Sequence, residues 1–139
     1  MNRGPKIPFI LFAINFMRDY KKFSVWTRSH ELTIKVYREI APCFPDSEKY
    51  GLTSQIRRAA YSIPFNISEG CARSSEKEFT HFLEISLGSA HELEYCLLLT
   101  RDLTFISEEQ FSILFEKINT IKAMIINLIK KIRSEPTEH

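Results

Sequence analysis

Residues 107–133 read SEEQFSILFEKINTIKAMIINLIKKIR, and the spacing of their apolar side chains decides the fold class. The intervals alternate between three and four positions, which places these side chains along one side of a long helix. Ser107 and Gln110 have the spacing of a capping box, so the helix should begin there. Three more apolar residues widen the seam, as expected for a helix buried against several neighbours or against another subunit. The seam is Phe111, Leu114, Ile118, Ile121, Ile125, Leu128 and Ile132, and the wider set adds Phe115, Ile126 and Ile129.

The same periodicity predicts three helices upstream of this stretch. One begins at a capping residue, Ser74 or Ser75, of which Ser75 has the capping-box spacing, and extends through residues 76–102. Another covers residues 51–71 and contains Pro64, at which we expect a kink or a break into two helices. The first covers residues 25–41, and no strand pattern is found in the sequence. The sequence therefore predicts an all-α, antiparallel up-and-down four-helix bundle.

Composition excludes several classes of protein. A chain of 139 residues with 44% hydrophobic and 26% charged residues forms one globular domain, not a disordered tail or a polytopic membrane protein. A net charge of +2 is too small for a strongly basic nucleic-acid binder, so any basic surface must come from clustering. The cysteines have no Cys-x-x-Cys spacing and are interpreted as reduced thiols of a cytoplasmic protein; they are Cys43, Cys71 and Cys96.

Residues 1–16 differ from the rest of the chain, because a short basic start precedes the apolar run PFILFAINF at 8–16. This run is too short to cross a membrane and is followed by charged residues where a signal peptide would have a cleavage site. We expect an N-terminal extension at 1–16, the bundle domain at 17–134 and a C-terminal tail at 135–139. A packed or partner-binding arm is the alternative for the extension, and secretion is the least favoured interpretation.

The sequence offers little that predicts catalysis. Glu78 and His81 form one Glu-x-x-His motif, but a di-metal centre in a helical bundle needs two such motifs and two further carboxylates. A solvated histidine is the favoured interpretation. The sequence has neither a glycine-rich phosphate loop nor a cysteine in an activating local context. We therefore expect no catalytic residue, no metal, no cofactor and no enzymatic activity.

The second predicted helix carries a polar stripe beside its apolar one, flanked by Arg57 and Arg73. Three interpretations compete for this stripe. It is a solvated face, a polar network that fixes helix or subunit pairing, or a surface whose arginines bind phosphate. The favoured network consists of Gln55, Arg58, Ser62, Asn66 and Glu69, with Ser89 and Glu92 from the next helix.

Five segments of the sequence resemble one known family. They are YGLTSQIRRAAYSIPFNISEG at 50–70, FSVW at 23–26, FPDSE at 44–48, RSSEKEF at 73–79 and FLEISLGSAHELE at 82–94. The family is that of the four-helix-bundle proteins encoded by intervening sequences in bacterial 23S ribosomal RNA genes. The resemblance extends over residues 17–133 and leaves out residues 1–16.

The resemblance implies a cytoplasmic bundle that assembles as a homopentamer. The chain is also similar to the accessory variability determinant of diversity-generating retroelements, which binds a reverse transcriptase and nucleic acid through a basic surface. Arg57, Arg58 and Arg73 match basic positions of the family, and we expect Arg58 and Glu92 to be structural partners. The predicted basic surface consists of Arg57, Arg73, Lys130, Lys131 and Arg133.

Together these observations predict a non-catalytic oligomeric module that binds RNA, DNA or a nucleic-acid-processing protein. The partner in the second case would be a reverse transcriptase-like protein. The alternative is a pure protein-interaction and assembly module with no specific affinity for nucleic acid.

Overall fold

The computed structural model describes residues 17–135, which form four long helices: α1, Ser24–Lys35; α2, Leu52–Cys71; α3, Glu76–Asp102; and α4, Glu108–Ser134. No strand occurs within that range. The all-α four-helix bundle is thereby confirmed, whereas the antiparallel course of the helices and a kink at Pro64 stay predictions. The predicted extension at 1–16 and the last four residues of the predicted tail lie outside the described residues.

Local capping signals set the beginnings of α3 and α4. The hydroxyl of Ser107 accepts the amide N–H of Gln110 at 3.1 Å, and the side-chain oxygen of Gln110 accepts the amide N–H of Ser107 at 2.9 Å. These two bonds are the predicted capping box. At α3 the hydroxyl of Ser75 accepts the amide N–H of Glu78 at 3.1 Å. Both helices are 27 residues long.

The connection between α1 and α2 is less regular than predicted. The helix predicted over 25–41 ends as an α-helix at Lys35 and continues as a π-helical turn, Val36–Ile40, and a 3₁₀ turn, Ala41–Cys43. Pro42 has no N–H with which to continue the regular bonding. The amide of Ala41 instead donates to the carbonyl of Val36, five residues back.

The helices neighbour one another in cyclic order, with α2 beside α3 and α1, and α4 beside α3 and α1. The contact between α2 and α3 is the most extensive and that between α1 and α4 the least. Side chains from all four helices fill the centre. The largest fully buried ones are Ile40, Ile56, Ile63, Ile67, Leu83, Leu93, Leu97, Leu114, Ile118, Ile121, Ile125 and Val36.

Pro64 is compensated by a side chain from another helix. Because proline has no N–H, the buried carbonyl of Ala60 lacks the amide that would bond to it in a regular helix. The hydroxyl of Thr33 in α1 lies 3.1 Å from this carbonyl oxygen and 2.8 Å from the carbonyl oxygen of Ser29. A single hydroxyl thereby ties α1 to α2 at the position where α2 lacks a donor.

Candidate functional site

The centre of the predicted polar network lies between α2 and α3. The hydroxyls of Ser62 and Ser89 are 2.7 Å apart, and the hydroxyl of Ser89 is 3.2 Å from the carbonyl oxygen of Ile85. The side-chain amide of Asn66 donates to the carbonyl oxygen of Ser62 at 2.8 Å and to its hydroxyl at 3.0 Å. These contacts form a chain of donors in which each hydroxyl both donates and accepts. The structure thus brings three of the seven predicted network residues together.

A third hydroxyl in this seam was missed by sequence reasoning. The buried hydroxyl of Ser86 in α3 donates to the carbonyl oxygen of Ile63 in α2 at 2.9 Å. The available signal was its position: Ser86 lies between Leu83 and Ala90 on the apolar stripe of α3, where a polar residue needs a partner. This bond fixes α3 against α2 in the same way as the Ser62–Ser89 contact.

The remaining network residues lie at the edge of the seam. The guanidinium of Arg58 is 3.9 Å from the carboxylate of Glu92, and both side chains are about half exposed. Glu69 pairs with Arg73 at 3.3 Å and is similarly exposed. Exposed pairs of this kind contribute at most about 1 kcal/mol to stability. Gln55 is exposed and makes no side-chain hydrogen bond to any described residue.

The five predicted basic residues fall at two ends of the bundle. Arg57 lies near the start of α2, half-buried, with its guanidinium carbon 5.3 Å from the centre of the Tyr37 ring. Its Nε is buried without a hydrogen-bond partner among the described residues. Arg73 follows the other end of α2, about 24 Å away along the helix axis at 1.5 Å per residue. Arg57 therefore does not share a surface with Arg73.

Four of the five residues lie toward the end of the bundle where α2 ends and α3 begins, but the α3 contacts of Arg73 and Arg133 are two positions apart and therefore point to different sides of α3. The guanidinium of Arg73 lies over the ring of Phe82 at 4.6 Å, and Arg133 of α4 pairs with Glu84, two residues further along α3. Lys130 and Lys131 lie within one turn of Arg133 on α4, and both are exposed.

Arg18 joins this end of the bundle and was not predicted. Its guanidinium donates to the carbonyl oxygen of Arg73 at 2.8 Å and lies 4.4 Å from the centre of the Phe79 ring. The signal in the sequence was the charged run RDYKK at 18–22. We call Arg18, Arg73, Lys130, Lys131 and Arg133 the basic end.

Carboxylates neutralise part of the basic end. Glu69 pairs with Arg73, and Glu84 pairs with Arg133, so two of the guanidinium groups already have an anionic partner. Lys130 and Lys131 form no ion pair within residues 17–135. The two lysines are therefore the groups of the basic end that are most available to an anion.

The other reactive side chains do not form a site in the part of the chain that the structure describes. His81 is exposed, and no three His, Cys, Asp or Glu side chains in residues 17–135 lie close enough to hold a metal. Burial raises the pKa of the Cys71 thiol to about 11 and also raises the pKa of Cys96. A raised pKa keeps a thiol protonated at neutral pH, which is the opposite of activation as a nucleophile.

Within residues 17–135 no helix has the length and apolar character that a membrane crossing requires. A search of the curated proteins found no match. Among solved structures, the chain is similar to a protein of unknown function from the S23 ribosomal protein family of Bacteroides thetaiotaomicron VPI-5482. The two are 28% identical with a TM-score of 0.71, and the match covers 77% of this chain and 96% of that one.

The family model described as 23S rRNA-intervening sequence protein matches residues 21–127, which are more than half of the chain and include all of α1, α2 and α3. The match agrees with the family that the sequence segments resembled. The structural match also extends over 96% of the solved relative, so the two chains share the same fold over nearly all of that relative. The chain therefore belongs to the 23S rRNA-intervening sequence protein family.

Proposed function

We propose that this protein is a non-catalytic, cytoplasmic, oligomeric module that uses the basic end to bind its partner. The partner is nucleic acid, RNA above all, or a nucleic-acid-processing protein similar to a reverse transcriptase. The observation that supports this proposal is the location of five cations toward the end of the bundle where α2 ends and α3 begins. The description of the family names no catalytic activity, and the solved relative is described as a protein of unknown function.

The charges at the basic end suit phosphate recognition. A guanidinium group can donate two parallel hydrogen bonds to one phosphate, whereas an ammonium group acts as a mobile point charge. Arg18 and Arg73 are linked through a hydrogen bond, and both stack on phenylalanine rings, which limits their motion. Repetition of this weak patch in an oligomer would raise its apparent affinity through effective concentration.

The test is fluorescence anisotropy of labelled structured RNA and duplex DNA over a series of salt concentrations. Each neutralised phosphate releases counterions, so the logarithm of the binding constant should fall linearly with the logarithm of salt. The double variant Lys130→Ala/Lys131→Ala should bind more weakly, and its salt slope should be smaller by about one to two. Binding with no salt dependence would contradict the proposal.

A matched control removes the same charge from the opposite end. Arg38 and Lys49 are exposed and precede α2, so they lie near Arg57 and far from Arg73. The double variant Arg38→Ala/Lys49→Ala should bind like the unchanged protein. Equal losses in the two double variants would mean that net charge, and not the basic end, controls binding.

The second candidate is an assembly module with no specific affinity for nucleic acid. The observation that favours it is the exposure of large apolar side chains on α2, where Phe65 is 58% exposed and Tyr61 is 45% exposed. Such groups are typical of protein interfaces. Absence of anisotropy change at low salt, with either RNA or DNA, would favour this candidate over the first.

A further inference from the structure

Three aromatic side chains contact one another beside the start of α1. The ring of His30 is nearly parallel to the ring system of Trp26, with 5.0 Å between the ring centres and 9° between the planes. Tyr20 meets Trp26 edge-on, with 4.9 Å between the centres. Tyr20 and Trp26 pack partly against the core, whereas His30 is exposed, so the core does not account for the position of the imidazole. We call Tyr20, Trp26 and His30 the aromatic stack.

The aromatic stack ends on an open ring. One face of the His30 imidazole contacts Trp26, and because the residue is exposed, the other face is in contact with water. A flat, open aromatic face is the surface on which proteins stack unpaired bases of nucleic acids. Contact with Trp26 restricts the imidazole, so a base that stacks on it loses less side-chain freedom than it would on an isolated histidine. The stack is therefore preorganised to accept one further planar ring.

The aromatic stack lies on the flank of α1 that faces α2. Thr33 marks this flank, because its hydroxyl contacts the carbonyl oxygen of Ala60 in α2. At about 100° per residue, Trp26 lies about 20° and His30 about 60° from Thr33 around the helix axis. Glu31, the carboxylate next to His30 in the sequence, instead lines a groove between α1 and α4. This carboxylate therefore faces away from a phosphate strand bound at the stack.

Positive charge connects the aromatic stack with the basic end. The run RDYKK at 18–22 carries three cations and one carboxylate. The amine of Lys21 lies 5.7 Å from the centre of the Tyr20 ring, and Arg18 belongs to the basic end. A cavity of about 530 Å³ opens between this run and the last turn of α2, and Arg18, Tyr20 and Lys22 contribute to its lining. The phosphates next to a stacked base would thus meet cations along the path to the basic end.

We propose that the aromatic stack binds an unpaired base of single-stranded nucleic acid, which lies on the open face of His30. The phosphates of the same strand pass Lys21 and Arg18 toward the basic end. This inference rests on the proposed function and deepens it, because it names the class of nucleic acid: strands with unpaired bases, and not duplexes. The bases of a duplex already stack on one another, so their faces are not available to a protein ring.

The sequence contains a single tryptophan, Trp26, which makes the test spectroscopic. Because its ring lies directly behind His30, its fluorescence should change when a base extends the stack. Three probes are titrated: a single-stranded RNA about ten nucleotides long, the same RNA paired with its complement, and an abasic RNA backbone of the same length. The single strand should quench the fluorescence to a saturating value. The duplex and the abasic backbone should bind through their phosphates and leave the fluorescence unchanged.

Two variants separate the ring of His30 from its charge. His30→Ala removes the ring and should lower the affinity for the single strand about tenfold, within the range that stacking of one base contributes. His30→Phe also removes the charge but keeps a ring, so it should bind nearly as tightly as the unchanged protein and with the same salt slope as His30→Ala. The site is exposed, so both variants should keep the fold.

His91→Ala is the matched control. His91 is exposed on α3, and its ring contacts no aromatic ring within residues 17–135. This variant should bind the single strand like the unchanged protein. Equal losses in His91→Ala and His30→Ala would overturn the proposal, as would a His30→Phe variant that binds as weakly as His30→Ala.

The fluorescence readout distinguishes this inference from the proposed function. Salt-dependent binding of all three probes with unchanged Trp26 fluorescence would refute only the stacking of a base. Quenching that requires a ring at position 30, together with full affinity in Lys130→Ala/Lys131→Ala, would support the stacking and refute only the role of the basic end. Equal quenching by the duplex and the single strand would overturn the preference for unpaired bases and with it the proposal.

Discussion

Replacement of Thr33 by valine should test how α2 tolerates Pro64 in its interior. Valine keeps the branched shape of the side chain but removes the hydroxyl that donates to the carbonyl of Ala60 at 3.1 Å. That carbonyl lies in a residue that is 1% exposed, so water cannot replace the hydroxyl. The substitution therefore leaves a buried acceptor without a donor.

The expected cost is about 1–2 kcal/mol in the free energy of unfolding. An unsatisfied buried acceptor costs about 1–3 kcal/mol. The lower part of that range applies because the hydroxyl of Thr33 is shared with the carbonyl of Ser29, 2.8 Å away. Urea denaturation followed by circular dichroism at 222 nm should show a lower midpoint at an unchanged slope.

A double-mutant cycle with Pro64→Ala separates this explanation from a general loss of packing. Alanine supplies an amide N–H at position 64, which can donate to the carbonyl of Ala60 in the regular helical manner. In that background Thr33→Val should cost about 0.5 kcal/mol or less, which gives a coupling energy of about 1 kcal/mol. An equal cost of Thr33→Val in both backgrounds would refute the compensation of Pro64 by Thr33.

Three further predictions concern the glycines and the thiols. A Cβ at Gly70 would lie 2.9 Å from the Cβ of Phe82, whereas a Cβ at Gly88 meets nothing within 4 Å. In urea denaturation Gly70→Ala should therefore be less stable than Gly88→Ala by about 2 kcal/mol, because the first variant is overpacked and the second gains helix propensity. Equal stabilities of the two variants would contradict the close approach of α2 and α3. In a thiol titration with a chromogenic disulfide at neutral pH, the exposed Cys43 should react before the two buried thiols. Because burial raises the pKa of Cys71 to about 11, unfolding releases a proton above about pH 9, and this thiol should lower the stability as the pH rises from about 9 to about 11. Reaction of Cys71 and Cys96 as rapid as that of Cys43 in the folded protein would contradict the burial of these two thiols.

The helices were predictable because their signals are local. The beginnings of α3 and α4 follow from Ser75 and Ser107, each of which accepts an amide from a residue three positions later. Apolar periodicity predicted most of the buried side of α4, but Ile126, which was expected to widen the buried seam, is 36% exposed. The end of α1 was less predictable, since the effect of Pro42 on the preceding turn depends on which carbonyl the amide of Ala41 finds.

The grouping of the basic residues was only partly predictable. Arg57 and Arg73 both flank the polar stripe, but they are 16 positions apart and most of the length of α2 separates them in space. The partner of Arg133 is Glu84, 49 positions away, and no local pattern specifies such a contact. Arg18 was missed for the same reason, because it reaches the basic end through the carbonyl of Arg73.

The polarity of the outer α2 stripe is not by itself a sign of a binding partner. Ser62, Asn66 and Ser89 already satisfy one another within the chain, so transfer of these groups from water to an interface would gain no hydrogen bond. Tyr61 and Phe65 lie on the same turns of the helix, and burial of their exposed surface would be favourable. The serines and the asparagine therefore explain how α2 pairs with α3, whereas the exposed apolar surface of α2 belongs to Tyr61 and Phe65, which lie outside the polar stripe.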